Sequence, residues 1–195
     1  MVYHSLTEPP RNVKEGIDWL IALKGDDAKK NLKALGEAVH KFLADKSVDK
    51  KEVPALEKVK LITKEFLEQM ELKGLCAADT LQGELENPMN TNPSIFVRLF
   101  GNARKSHHES FVQAQGLTAE SIAENIGQVV DGCEKFLDVI KNPTQYKPAY
   151  SSEVTWAEAY EKDPETCAII FIGIAPMLYV GIRSLKEASA HALMG

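Results

Sequence analysis

Apolar residues recur at helical spacing along most of the chain, and no sustained alternation of apolar and polar residues is present. A spacing of three or four residues places side chains on one face of an α-helix, whereas a strand needs a period of two. The clearest apolar stripes run through Val13–Ile21, Leu32–Leu43, Leu56–Met70 and Ile122–Ile140. This pattern predicts an all-α protein whose stripes meet in a shared interior.

Helix start and stop signals lie at the ends of these stripes. Asn12 precedes Glu15 by three residues, which is the spacing of a capping box, and Gly25 suits the residue that follows a helix. We therefore expect a first helix over Val13–Lys24, and a later one that begins at Pro54, because proline is favoured at the first helical position. Comparable start signals stand at Asp27, Thr118, Thr155 and Asp163.

The chain has 195 residues, a length typical of one domain. Summing the stripes, we expect a single-domain bundle over residues 1–195 with about seven to eight helices, one of them a short helix over 75–85. The rest is predicted to be an extended N-terminal arm at 1–11 and loops near 45–53, 87–94, 102–117 and 142–154.

The C-terminal part contains Cys167–Ile182, a run of 16 residues without a charge. A membrane span needs about 20 such residues, so we interpret the run as a C-terminal helix buried at the centre of the bundle. A membrane-inserting or partner-binding hairpin is the alternative, and a third is that Ile169–Ile182 lines a cavity for an apolar ligand such as a lipid. Pro176 lies inside the run and is expected to kink or split the helix, since proline removes one helical hydrogen bond.

Charge argues against a nucleic-acid partner. The formal net charge is −5, and lysines are intermixed with acidic residues throughout. Proteins that bind nucleic acids cluster Lys and Arg on one face. We therefore expect no nucleic-acid binding.

The chain has three cysteines, Cys76, Cys133 and Cys167, and no two of them form a CxxC pair. Cys133 lies on an apolar stripe and Cys167 opens the uncharged run, so both are expected to be buried. Buried cysteines are usually inert. A disulfide between Cys133 and Cys167 is the competing interpretation, and it requires an oxidising compartment.

No known catalytic or phosphate-binding motif occurs in the sequence. His107, His108 and Glu109 form the densest group of metal-ligating side chains, but adjacent residues on a helix point about 100° apart and share a metal poorly. We therefore predict no catalytic residues, no cofactor and no metal, and expect that the protein is not an enzyme. Carboxylates also lie close in sequence, on polar stretches near lysines, at Glu68, Glu71, Glu84 and Glu86.

Five stretches together resemble one family of proteins. They are LTEPPRNVKEGIDWLIALKG (Leu6–Gly25), VPALEKVKLITKEFLEQ (Val53–Gln69), NPSIFVRLFGN (Asn92–Asn102), VVDGCEKFLDVIK (Val129–Lys141) and KDPETCAIIFIGIAPMLYVGIRSLKEAS (Lys162–Ser189). The set resembles the N-terminal helical region of piroplasm (Babesia-type) variant erythrocyte surface antigens, a family also described as extracellular matrix-binding proteins.

The resemblance implies a non-enzymatic helical module of an exported or surface antigen, acting in host–parasite interaction or antigenic display through a protein partner. It implies a location at the infected-erythrocyte surface and a chain that is one module of a larger protein. Relatives often carry a further cysteine where this chain has Tyr160, which puts any family disulfide scheme in doubt. An intracellular scaffold or export-associated protein is the alternative, with a cytoplasmic location, because the first residues lack the basic and apolar regions of a signal peptide.

Overall fold

The computed structural model describes residues 2–44, 54–69, 72, 78–79, 81–82, 112–113, 116–140, 142 and 145–192. This part is mostly helical and has no β-strand, only an isolated bridge between Tyr3 and Tyr150. The prediction of an all-α protein is confirmed to this extent. Its six helices are α1 (Val13–Lys24), α2 (Ala28–Ala44), α3 (Pro54–Leu67), α4 (Ala119–Ile140), α5 (Trp156–Lys162) and α6 (Pro164–Ala192).

Helix α1 has the bounds that its sequence signals predict. The Asn12 side chain accepts a hydrogen bond from the main-chain N–H of Glu15 at 2.9 Å, which supplies an acceptor for a donor left unpaired at the helix start. At the other end Gly25 has a φ of 51°, and its N–H donates to the carbonyl of Ile21 at 3.1 Å. A positive φ favours glycine, so Gly25 ends the helix without the steric strain that a side chain would cause.

The other predicted start signals also act as caps. Each side-chain oxygen accepts from the main-chain N–H three residues later, as short polar residues do at helix N-termini. The donors and distances are Lys30 to Asp27 at 3.2 Å, Ser121 to Thr118 at 3.1 Å, Glu158 to Thr155 at 3.3 Å and Thr166 to Asp163 at 3.0 Å.

Helix α6 lies at the centre of the described part. Helices α1, α2, α3 and α5 all pack against it, and α2 also packs along α4. Its side chains from Ile170 to Leu178 are buried, as the interpretation of a central core helix expects. The aromatic residues Trp19, Phe66 and Trp156 are buried in the same core.

Glycines permit close approach of the helices around α6. A β-carbon placed on Gly173 would lie 2.4 Å from a Val59 methyl group, and one placed on Gly181 would lie 2.1 Å from a Val13 methyl group. Real β-carbons do not approach other atoms so closely. The hydroxyl of buried Thr63 also donates to the Gly173 carbonyl at 2.6 Å, so α3 holds α6 by both packing and a hydrogen bond.

Helix α6 continues through Pro176. The prediction that Pro176 splits the helix is therefore wrong, and the predicted kink stays a prediction. Proline cannot donate to the carbonyl four residues earlier, which belongs to Ile172. Thr63 brings its hydroxyl donor to the neighbouring carbonyl, that of Gly173, in the same turn. Contacts from α3 thus hold this turn of α6, although Thr63 bonds to Gly173 rather than to the Ile172 carbonyl that lacks its helical donor.

The predicted count of seven to eight helices exceeds the six of the described part, and it also covers residues outside that part. Ala78, Asp79, Leu81 and Gln82 are helical, within the short helix predicted over 75–85. Val112 and Gln113 are helical as well, inside a region expected to be a loop. The predicted loops near 45–53 and 87–94 lie outside the described residues.

Helix α6 has the length and composition of a membrane span over Pro164–Ser184, with a mean hydropathy of 1.9. The uncharged run of 16 residues alone predicts a segment too short to span a membrane. However, 72% of its most apolar window is buried inside the fold. The core helix of a globular protein has these same properties, so burial rather than length favours the interpretation of α6 as a core helix.

Candidate functional site

Among the side chains whose burial the structure describes, Asp18 is the only charged one that is buried, with 5% of its surface exposed. It lies in the middle of α1, next to the buried residues Ile17 and Trp19. A buried carboxylate is costly unless several donors surround it. The surroundings of Asp18 are therefore the candidate functional site.

Three donors converge on Asp18. The ammonium group of Lys14 and the main-chain N–H of Ala149 donate to Oδ2 at 2.7 and 2.8 Å, and the hydroxyl of Tyr146 donates to Oδ1. Lys14 also donates to the carbonyl of Lys147 at 2.7 Å and lies 4.7 Å from the centre of the Tyr146 ring. We call Lys14, Asp18, Tyr146 and Ala149 the Asp18 cluster.

The Asp18 cluster holds Tyr146 in its neutral form. Burial raises the pKa of Tyr146 above its ordinary value, and the hydrogen bond to Asp18 and the negative charge of Asp18 raise it further. Ionisation would place a second negative charge beside the carboxylate and remove the donated proton. Tyr146 is therefore a hydrogen-bond donor to Asp18 and unsuited to act as a base.

The N-terminal residues dock beside this cluster. The N–H of Tyr3 donates to the carbonyl of Ala149 at 2.7 Å, and the N–H of Ser151 donates to the carbonyl of Tyr3 at 2.9 Å. The rings of Tyr3 and Tyr150 stack with their centres 4.8 Å apart. We call residues 2–12 the arm and residues 145–151 the distal segment.

Further hydrogen bonds fix the arm on α1. The Tyr3 hydroxyl donates to the Glu15 carboxylate at 2.8 Å, and burial together with this bond raises the pKa of Tyr3 to about 12. The indole N–H of Trp19 donates to the carbonyl of Leu6 at 2.9 Å, and both side chains are fully buried. The polar groups of this region thus join three parts of the chain to one another.

Cys133 and Cys167 are buried free thiols in the structure, and the disulfide given as the competing interpretation stays a prediction. Cys133 lies on α4 and Cys167 on α6. Burial raises the pKa of the Cys133 thiol to about 11 and that of the Cys167 thiol to about 12. A thiol of such high pKa is a poor nucleophile near neutral pH. Cys76 lies outside the described residues.

Of the other candidate ligands that the sequence suggested, only Glu68 lies within the described residues. Glu68 is exposed on the turn after α3. No group of three His, Cys, Asp or Glu side chains within the described ranges is placed to hold a metal ion. His107, His108, Glu109, Glu71, Glu84 and Glu86 lie outside the described residues.

Among the pockets at the surface of the described part are two that the Asp18 cluster does not line. One lies between His40 of α2 and the residues around Val112 and Leu117, and the other between Ile21 of α1 and Leu137 of α4. Neither is lined by the run Ile169–Ile182, which the sequence suggested as the wall of a cavity for an apolar ligand. The suggested cavity for an apolar ligand stays a prediction.

Sequence reasoning missed the Asp18 cluster. Asp18 lies beside the apolar stripe of α1, and Tyr146 and Tyr150 lie within the connection before α5, but nothing local to either stretch indicates that they meet. Their separation of 128 residues is bridged only in the fold. An acidic residue at an interior helix position was the one available signal, because such a residue requires a partner.

Fold and cluster together define a helical domain whose buried polar groups bond to one another and to the main chain. We compared the chain with models of protein families, with curated proteins and with solved structures, and none of these matches it. The resemblance to piroplasm surface antigens thus stays a prediction from the sequence.

Proposed function

We propose that the chain is a non-enzymatic helical module of an exported or surface antigen, which displays its outer face to a protein partner. The resemblance of the sequence to piroplasm surface antigens suggests the setting. The observation that favours a structural interior over a reactive one is the Asp18 cluster, in which three donors occupy a carboxylate that is almost entirely buried.

A carboxylate that transfers protons must reach its substrate and have an acceptor position free for the proton. Asp18 meets neither requirement well, since α1, Tyr146 and the distal segment enclose it. The same donors have an evident structural use, because each joins Asp18 to a neighbouring turn or to the distal segment. This supports the interpretation that the Asp18 cluster holds the distal segment against α1.

The outer faces of α2 and α4 supply charged groups for a polar contact with a partner. Lysines are exposed along α2, and carboxylates are exposed along α4. Lys24 joins α1 to α4 through Glu134 and Asp131, at 2.7 and 3.3 Å, and these bonds raise the pKa of Lys24. The exposed lysines of α2 are Lys29, Lys30, Lys33 and Lys41, beside the exposed Glu37, and the exposed carboxylates of α4 are Glu120, Glu124, Asp131 and Asp138, beside the exposed Lys135.

Surface labelling of infected erythrocytes tests the proposed setting. Antibodies raised against the folded chain are applied to intact cells and to permeabilised cells, with a cytosolic parasite protein as the control. Display predicts labelling of intact cells that surface protease removes. Labelling that needs permeabilisation would contradict display and favour the intracellular scaffold or export-associated protein.

Cross-linking tests the proposed use of the outer faces. The tagged chain is incubated with erythrocyte membranes, treated with a lysine-reactive cross-linker and analysed by mass spectrometry. We expect partner cross-links from the exposed lysines of α2. A matched pair of variants sharpens the result: Lys30→Glu reverses a charge on this face, whereas Lys58→Glu does so on α3. Equal partner capture by both variants and the unmodified chain would argue against the α2 face.

A further inference from the structure

Two segments far apart in sequence lie together on α1. They are the arm and the distal segment, and the isolated bridge between Tyr3 and Tyr150 joins them. Tyr3, Leu6 and Tyr150 are all buried where the two meet. Segments without regular structure do not usually bury such side chains unless specific contacts hold them.

Ala149 is the residue through which these contacts are linked. Its N–H donates to Asp18 on α1 at 2.8 Å, and its carbonyl accepts from the N–H of Tyr3 in the arm at 2.7 Å. The two main-chain groups of one residue thus bond to α1 on one side and to the arm on the other. Displacing Ala149 from Asp18 would therefore move the acceptor on which the arm depends.

Side chains strengthen the same link. The stacked rings of Tyr3 and Tyr150 lie 4.8 Å apart, and the Tyr150 hydroxyl donates to the carbonyl of Glu8 in the arm at 2.7 Å. On the distal segment, Tyr146 is held by Asp18. Each segment therefore completes the binding site of the other on α1.

We propose that the arm and the distal segment form one latch, which opens and closes on α1 as a unit while the helices stay folded. Local opening takes less free energy than global unfolding, and segments that share contacts open cooperatively. Opening exposes the buried surface on which Leu6 packs, the indole N–H of Trp19 and the Asp18 carboxylate together. The latch is a conformational device that controls access to this face of α1, and it does not depend on the proposed display function.

Amide hydrogen exchange in the full chain tests the latch, measured by NMR at mildly acidic pH. Asp18→Asn removes the charge that holds the distal segment, and the probes are the amides of Tyr3 and Ser151, which do not bond to Asp18. A hydrogen bond to a charged group contributes enough that we expect exchange at both probes to accelerate about ten-fold or more. Tyr146→Phe removes one donor to Asp18 and serves if Asp18→Asn does not fold. Thr63→Val, at the α3–α6 contact, is the control and should leave both probes unchanged.

Two outcomes would overturn the latch. If the Ala149 amide accelerates while those of Tyr3 and Ser151 do not, the two segments open independently. If amides in the centre of α6 accelerate by the same factor, opening is global unfolding. The reciprocal variant Tyr3→Ala must accelerate the Ala149 amide, whose acceptor is Asp18 rather than Tyr3.

Discussion

Replacing Gly173 with alanine tests the packing around α6 with a single methyl group. The added β-carbon would lie 2.4 Å from Val59 Cγ1 and 2.6 Å from Val59 Cβ. Favourable carbon–carbon contacts begin near about 3.5 Å, so α3 and α6 must separate locally by about 1 Å. That movement also strains the 2.6 Å bond from Thr63 to the Gly173 carbonyl.

These terms set the expected magnitude. Overpacking costs about 2 kcal/mol, weakening a buried hydrogen bond costs about 1 kcal/mol more, and the better helix propensity of alanine offsets about 1 kcal/mol. We therefore expect Gly173→Ala to lower the free energy of unfolding by about 2 kcal/mol. For a chain of this size that corresponds to a fall in Tm of about 4–8 °C.

Urea unfolding followed by circular dichroism measures the effect, and Gly132→Ala is the matched control. Gly132 is exposed in the interior of α4, and a β-carbon there would meet no atom within 4 Å. Alanine at this position should raise the free energy of unfolding by about 0.5–1 kcal/mol. If Gly173→Ala stabilises the chain as Gly132→Ala does, the close crossing of α3 and α6 does not exist.

A second substitution identifies Val59 as the obstacle. Val59→Ala removes the Cγ1 methyl group at 2.4 Å but keeps Cβ at 2.6 Å, so Gly173→Ala should cost less in that background while part of the clash stays. The double-mutant cycle should yield a favourable coupling of about 1–2 kcal/mol. Additive effects of the two substitutions would show that the methyl groups of Val59 do not cause the strain.

Three further predictions concern buried polar groups. Thr63→Val removes the donor to Gly173 and should cost about 1–3 kcal/mol in urea unfolding, while Thr63→Ser should retain most of the stability. Burial raises the pKa values of the Cys133 and Cys167 thiols to about 11 and about 12, so both should react slowly with a thiol reagent in the folded chain. At mildly alkaline pH we expect their reaction to be at least about ten-fold slower in the folded chain than in urea, as measured for each site by mass spectrometry. Folding raises the pKa of Tyr3 from about 10 to about 12, so its contribution to stability is complete below pH 10 and is lost as pH rises towards 12. A free energy of unfolding that stays constant between pH 10 and 12 would contradict this.

Helices and their caps were predictable because their signals are local. Asn12, Glu15 and Gly25 predicted both ends of α1. The capping side chains of Thr118 and Asp163 predicted the starts of α4 and α6. In each case one side chain satisfies main-chain groups within a single turn. Such a signal needs no knowledge of the rest of the fold.

Features that depend on distant residues were missed. Proline at 176 suggested a kinked or split helix, and nothing near it in sequence indicates that Thr63, 110 residues away from Gly173, donates to α6 in the preceding turn. The pairing of Tyr3 with Ala149 and Ser151 likewise joins two stretches that look like unstructured connections in the sequence. The sequence supplies these residues, but only the topology brings them together.

The central claim is that α6 is a core helix held by its neighbours, and its most direct test is proximity across the α3–α6 crossing. Nuclear Overhauser effects between the Val59 methyl protons and the Gly173 α-protons can be measured in aqueous buffer without detergent. We predict strong cross-peaks, because a Val59 methyl group lies against the backbone of Gly173. Absence of these cross-peaks in buffer, with α6 forming only in micelles or bilayers, would contradict the claim.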